Sequence, residues 1–111
     1  MRHALRVTTA TVFQALGEPR RLEILDLLRA GERPVGDLVE RLGVSQPAVS
    51  KHLRVLKGAG LVDVRADGQR RLYRIRPESL RELDEWLESY RRMWSTHLDR
   101  LVDHLDRRRT P

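Results

Sequence analysis

Polar side chains of one chemical character share a single face of the stretch from Ser45 to Lys57. When successive residues are placed about 100° apart, as on an α-helix, amide, hydroxyl and cationic groups gather on one side with no carboxylate among them. These residues are Gln46, Ser50, Lys51, Arg54 and Lys57. Such groups donate hydrogen bonds and attract anions, so the face predicts binding to an anionic partner.

The helix that positions this face has recognisable ends. Ser45 is a candidate N-cap, Pro47 suits the first turn, and Gly58 and Gly60 end the helix. The opposite side is predicted to pack against the core, because all but one of its six residues, His52, are apolar. The six residues are Ala48, Val49, His52, Leu53, Val55 and Leu56.

A shorter amphipathic helix comes just before it, at residues 34–42, and the two are joined through Gly43 and Val44. A helix, a short glycine-containing turn and a polar-faced helix form the helix-turn-helix pattern, here at residues 34–58. Two amphipathic helices around a glycine also occur in many other helical proteins. The pattern therefore needs support from the distribution of charge.

Basic residues are concentrated in and after the second of these helices. Residues 45–76 hold eight basic and two acidic residues, which leaves fourteen of each kind elsewhere among the 22 basic and 16 acidic residues of the chain. The whole formal net charge of +6 therefore lies in residues 45–76. A polyanionic partner is the economical explanation.

Two short runs of alternating residues follow the helix-turn-helix, at Leu61–Arg65 and Arg71–Ile75, on either side of Asp67-Gly68. An Asp-Gly pair between such runs predicts a two-stranded β-hairpin over residues 61–76. The basic residues beside its tip are Arg65, Arg70 and Arg71. A basic hairpin directly after a candidate recognition helix indicates a wing that can reach phosphates or the minor groove, and an ordinary solvated hairpin is the alternative.

The remaining sequence predicts three more helices. A first helix is expected from Thr8 or Thr9 to Leu16, a second from Pro19 to about Gly31, and a long third over residues 77–107. The long helix carries apolar residues at spacings of three or four over more length than a small domain can cover. This stripe predicts a homodimer interface, and packing wholly within one subunit is the alternative.

The composition excludes several classes of protein. The 111 residues predict one domain, 1–111, and the absence of cysteine excludes disulfides and thiolate metal sites. No apolar run approaches the roughly 20 residues of a membrane span, and no signal-peptide core is present, so we expect a cytoplasmic location. The chain also lacks a cysteine nucleophile, a His-Glu-x-x-His motif and a glycine-rich phosphate loop, so we expect no enzymatic activity.

Three segments carry a family resemblance: LGEPRRLEILDLL at 16–28, DLVERLGVSQPAVSKHLRVLKGAGLV at 37–62 and GQRRLYRI at 68–75. They are similar to segments of the ArsR/SmtB family of bacterial transcriptional regulators. The resemblance implies a mainly α fold with a two-stranded β-wing (α+β), a winged helix-turn-helix, and a homodimer joined through helices 8–16 and 77–107. It also implies repression through binding to an inverted-repeat operator in double-stranded DNA. The interface residues then expected are Val12, Phe13, Leu16, Leu87, Tyr90, Trp94, Leu98, Leu101 and Leu105.

The resemblance also implies which residues contact DNA, since several match positions from which family members touch bases and phosphates. Gln46 can pair with adenine, whereas Lys51 and Arg54 suit guanine or phosphate. The expected set is Ser45, Gln46, Pro47, Ser50, Lys51, Arg54, Lys57, Arg70 and Arg71. His52 matches a family histidine but lies toward the packed side, where we expect a structural role.

Metal-sensing members often carry Cys-x-Cys just before the Asp-Leu of the first motif helix, but here residues 33–36 precede Asp37-Leu38 and hold no cysteine. His97 and His104 on the last helix are separated by roughly 10.5 Å along the axis, too far to share one ion within a chain. We therefore predict no metal site and no cofactor. The alternatives are a metal- or pH-responsive regulator that joins these histidines across a dimer, and a winged-helix module for RNA or protein. An RNA-binding module would favour exposed aromatic residues, and the aromatic content is only 5%.

Overall fold

A computed structural model describes the backbone of residues 2–109 and the side chains of residues 9–108. In chain order the elements are α1 (Arg2–Leu16), α2 (Pro19–Leu28), β1 (Arg33–Pro34), α3 (Val35–Leu42), α4 (Gln46–Gly58), β2 (Val62–Asp67), β3 (Arg70–Ile75) and α5 (Pro77–Arg109). The mainly helical fold with a hairpin wing is the predicted winged helix-turn-helix.

The residues at the end of α3 and the start of α4 determine the geometry of the helix-turn-helix. Gly43 ends α3 in the left-handed conformation, with φ of 67°, which glycine adopts at little cost. Ser45 caps α4, because its Oγ accepts a hydrogen bond from the N–H of Ala48 at 3.3 Å. Pro47 lies in the first turn of α4, where no backbone donor is lost. These ends position α4 directly after α3.

The core lies where α1, α2, α3 and α4 meet the base of the hairpin. Its buried residues are Val12, Ala15, Ile24, Leu28, Leu38, Val49, Leu53, Leu56, Ala59, Leu61 and Val62. Leu80 and Leu83, from the start of α5, pack against this core, and the rest of α5 contributes little to it. The core therefore fixes one side of α4 and leaves its other side in solvent.

The hairpin has a two-residue turn at Gly68-Gln69, and Gly68 takes a positive φ of 63°. The predicted two-stranded hairpin is confirmed, and β1, which was not predicted, joins β3 as a third strand, pairing Arg33 with Tyr73 and Pro34 with Leu72. A two-residue strand shows no alternation in sequence, and its proline is tolerated because β1 is at the sheet edge. This third strand ties the wing to the start of α3.

The first helix was predicted to begin at Thr8 or Thr9, but α1 begins at Arg2. Thr9 is buried inside the helix rather than capping it. No glycine or proline interrupts residues 2–16, so the helix continues toward the N-terminus past the two threonines.

The last helix extends far beyond the core. At 33 residues, α5 is about 50 Å long, and the molecule measures 69 × 37 × 21 Å. Its beginning is fixed to the turn after α4 through Ser79, whose Oγ donates to the carbonyl of Gly60 at 2.9 Å. None of the helices within residues 2–109 has the length and apolar content that a membrane span requires.

Candidate nucleic-acid interface

The outward face of α4 carries the side chains that the sequence placed there. Gln46, Lys51, Arg54 and Lys57 are exposed, and Ser50 is half-buried. Val49, Leu53 and Leu56 fill the opposite face and are buried in the core. Because the core holds that face, the orientation of the polar face is fixed by packing rather than by a partner.

Ion pairs divide the eight basic residues of the 45–76 stretch into two groups. Four of them have carboxylates within 4 Å: Arg65 with Glu32, Arg70 with Asp67, Arg74 with Asp63 and Arg76 with Glu78. Among the described residues, the other four have no ion-pair partner. They are Lys51, Arg54, Lys57 and Arg71.

This division was not foreseen, because Glu32 and Glu78 lie outside the stretch whose charges were counted. The closest of the four pairs is Arg65 with Glu32, in which the guanidinium Nε donates to Oε2 at 2.9 Å and Nη2 to Oε1. These hydrogen bonds from Arg65 lower the pKa of the Glu32 carboxyl below its usual value. Arg65 therefore holds the wing against the chain before β1 and is less available to an external anion.

The N-terminus of α4 and the tip of the wing line one open cleft. Gln46 contributes the helix side, and residues 69–71 contribute the wing side. The third wall is residues 34–36, where β1 passes into α3. Two amides and two arginines thus line the same opening, so α4 and the wing form a continuous polar surface.

A second exposed surface is formed by α1 and α5 and is apolar. Phe13 meets the edge of Trp86 with ring centroids 5.4 Å apart, and Trp86 lies 4.8 Å from Tyr90. The exposed members of the predicted interface set are Phe13, Tyr90, Trp94, Leu98, Leu101 and Leu105, and the half-buried members are Leu16 and Leu87. Trp86, Met93 and Val102 are exposed with them and were absent from that set.

Val12 requires a correction. It was expected at the dimer interface, but only 1% of its surface is exposed within its own chain. It points from α1 into the core, next to Ala15 on the same helix face. Val12 therefore belongs to the core of its own chain, whereas its neighbour Phe13 is exposed.

The histidines differ in position. His97 and His104 are exposed on the distal part of α5. In the part of the chain that the structure describes, no three His, Asp or Glu side chains are grouped to hold a metal ion. His52 lies on the inner side of α4, with 20% of its side chain exposed, and its contacts are with residues of α2 and the turn before it.

Comparisons with known proteins identify the family and the fold. The sequence model described as "Bacterial regulatory protein, arsR family" matches residues 18–64. The transcriptional repressor SdpR of Bacillus subtilis is 34% identical over 71% of this chain and 88% of its own length. A probable mercury resistance operon repressor of Streptomyces lividans is 44% identical over 61% of this chain, and the match spans 54% of that relative.

A solved structure with the same fold is the homodimeric winged helix-turn-helix DNA-binding domain of a possible ArsR-family regulator from Mycobacterium bovis. It is 34% identical to this chain, covers 89% of both chains and superposes with a TM-score of 0.66.

Proposed function

The chain belongs to the arsR family of bacterial regulatory proteins, and from this premise we propose that it is a homodimeric, DNA-binding transcriptional repressor. A protein that occupies promoters works beside chromosomal DNA, so the proposal includes a cytoplasmic location. The observation that carries the proposal is the set of four unpaired cations on α4 and the wing, next to the cleft that contains Gln46.

The unpaired cations fit the phosphate backbone. Lys51, Arg54 and Lys57 extend from one face of α4, and Arg71 extends from the wing beside it. Each cation that neutralises a phosphate releases counterions and makes binding dependent on salt. These four residues are therefore proposed to supply most of the affinity, whichever bases are present.

Gln46 is proposed to read sequence. It is the first residue of α4 and is exposed, so its amide can reach a base edge when the helix enters the major groove. A glutamine amide pairs in bidentate fashion with adenine. Ser45 and Ser50 are proposed to donate their hydroxyl protons to phosphates, and the Ser45 oxygen still accepts the capping bond from Ala48.

Dimerisation is proposed through the apolar surface of α1 and α5. An exposed stripe that includes Phe13, Trp94 and Leu98 is unusual on a chain that remains alone in water. In the proposed dimer, the two α4 helices lie on one side and each enters the major groove of one half-site. Operators read in this way have half-sites about one helical turn, roughly 34 Å, apart.

The test is a fluorescence-anisotropy titration against a duplex from the region upstream of the gene and a scrambled duplex, from about 50 to 200 mM salt. We expect the upstream duplex to bind about 10³-fold more tightly than the scrambled one. Gln46→Ala should narrow that ratio, whereas Ser89→Ala, a change at an exposed polar residue of α5, should leave it unchanged. Equal, weak binding to both duplexes would overturn the proposal and favour an RNA or protein partner.

A further inference from the structure

Three helices meet at a polar junction on the inner side of the DNA-binding helix. Arg21, in the first half of α2, donates from Nη1 to the carbonyls of Gln14 at 3.3 Å and Ala15 at 3.2 Å. Those carbonyls belong to the last turn of α1, which has no following helical turn to donate to them, and the Gln14 carbonyl also accepts from the N–H of Gly17 at 3.3 Å. The Nε of the same guanidinium donates to Nδ1 of His52 on α4 at 3.4 Å. One side chain thus links α1, α2 and α4.

His52 is held from its other side by a carboxylate. Its Nε2 lies 3.8 Å from Oε2 of Glu18, and that carboxylate also caps α2 by accepting from the N–H of Arg20 at 3.0 Å. The imidazole therefore lies between a cation and an anion, both attached to the turn and helix that follow α1. One hydrogen bond, from Arg21, and one longer contact, with Glu18, therefore hold the ring from its two sides.

The contact with Arg21 requires a neutral imidazole. A ring nitrogen accepts a hydrogen bond only when it carries no proton, and a guanidinium can only donate. Protonation would make both nitrogens of His52 donors and would set two cations against each other across 3.4 Å. The ring would then lose Arg21 and keep only Glu18, so the link between α4 and the end of α1 would be broken.

Other charged groups on the elements around α4 either have ion-pair partners elsewhere or, like Asp26 of α2 and Glu40 of α3, are exposed to solvent. On α3, Asp37 pairs with Arg33 and Arg41, and on β2, Asp63 lies 3.7 Å from Arg74. Within residues 9–108, the ion pairs and hydrogen bonds of the His52 side chain involve only Glu18 and Arg21. Its neighbour on α4, Lys51, is on the exposed face.

We propose that His52 is a positioning residue: through Arg21 it fixes the DNA-binding helix relative to α1, and its protonation weakens binding to the operator. The inference rests on the proposed function, since it concerns the affinity for DNA. It also makes binding respond to pH in the direction opposite to simple electrostatics. An added positive charge on a DNA-binding protein would otherwise strengthen its attraction to phosphates.

The test compares operator affinity at constant ionic strength at about pH 7.5 and about pH 5.5. For the wild-type protein we expect affinity to fall about tenfold on acidification, since a charge-assisted hydrogen bond is lost. His52→Asn places an amide oxygen near the position of Nδ1 and cannot titrate. This variant should bind as the wild type does at pH 7.5 and change less than about twofold at pH 5.5.

A control variant removes the other described histidines, since His97→Asn and His104→Asn alter only exposed positions of α5. This double variant should keep the full loss of affinity at low pH. If wild-type affinity rises or stays constant on acidification, or if His52→Asn responds as the wild type does, the inference is overturned.

The free protein gives a second measurement that does not depend on DNA. In a ¹⁵N-labelled sample, acidification should shift the backbone amide signals of α4 in the wild type and leave them in place in His52→Asn. Absent operator binding at pH 7.5 together with these shifts would overturn the repressor and leave the junction intact. Constant α4 signals in the wild type would overturn the junction, whatever the DNA result.

Discussion

The two helices that follow Gly43, α4 and α5, carry leucines at similar helical spacing, but the leucines of α4 are buried and those of distal α5 are exposed. Leu53 and Leu56 of α4 are 1% and 0% exposed, whereas Leu98 and Leu101 of α5 are 57% and 53% exposed. The polar groups of α4 face solvent without carboxylate partners, while Arg91 of α5 is bonded to Asp84 and Glu88 along its own helix. Apolar spacing alone therefore does not say what a helix face meets.

The two faces differ in what holds them in place. The face of α4 is prepared within one subunit, because the core behind it holds the helix before any partner arrives. The face of distal α5 has no such backing, and its apolar groups gain a dry environment only from a second molecule. Affinity for DNA should therefore depend on both an intrachain core and an interchain contact.

The largest expected effect separates these two kinds of leucine. Leu53→Ala removes a buried side chain and should lower the free energy of unfolding by about 2 to 5 kcal/mol at any protein concentration. Leu98→Ala should cost little in a dissociated subunit and should matter only where dimers form. Urea denaturation at about 1 and 50 µM protein measures both, because dimer stability depends on concentration.

Equal destabilisation by Leu98→Ala at both concentrations would contradict a role in dimerisation, since Leu98 would then be packed within its own chain. A loss of less than about 1 kcal/mol in the free energy of unfolding of Leu53→Ala, typical of surface positions, would contradict a core role for Leu53. Size-exclusion chromatography of Leu98→Ala provides the matching check on the oligomeric state.

The elements that sequence could predict are those with local signals. Ser45, Pro47 and Gly43 fix the ends of the helix-turn-helix through their own backbone preferences, and Asp67-Gly68 fixes the hairpin. The exposed face of α4 followed from periodicity. Strand β1 and the true start of α1 did not follow, because one is too short to show a pattern and the other passes through threonines that resemble caps.

The site was harder to predict where it depends on partners distant in sequence. Arg65 is 33 residues from Glu32, and Arg21 is 31 residues from His52. Contacts between residues so far apart give no periodic pattern in the sequence. The sequence therefore indicated a free cation at Arg65 and predicted no polar partner for His52. Val12 was misassigned for a related reason, because one apolar position on a helix does not reveal which neighbour covers it.

A smaller effect should distinguish unpaired from paired arginines. Arg54→Ala removes an unpaired cation from α4 and should weaken operator binding about tenfold at low salt, with a salt dependence that is lower by about 0.9 in slope. Arg76→Ala removes an arginine whose Nε lies 3.8 Å from Glu78 and should weaken binding less than about twofold. Anisotropy titrations at several salt concentrations measure both. Equal losses for the two variants would show that the intrachain ion pairs do not select which cations meet DNA.

The smallest expected effect concerns the ion pair that holds the wing. Because Arg65 lowers the pKa of Glu32, folding favours the ionised carboxylate, and its stabilising contribution is present above the ordinary glutamate pKa of about 4.3. That contribution is lost as the pH falls through the lower pKa of the folded state. Glu32→Gln should therefore be slightly less stable than the wild type near neutral pH and should match it in strong acid.

Thermal melts across the acid range measure this difference, and Asp26→Asn is the matched control, since Asp26 is exposed and makes no ion pair among the described residues. Glu32→Gln should also slightly strengthen operator binding. Arg65 then becomes free to contact a phosphate, and one negative charge beside the wing is removed. Weaker binding by Glu32→Gln would instead mean that the pair aligns the wing for DNA. In that case the wing, like α4, would depend on intrachain contacts prepared before the partner arrives.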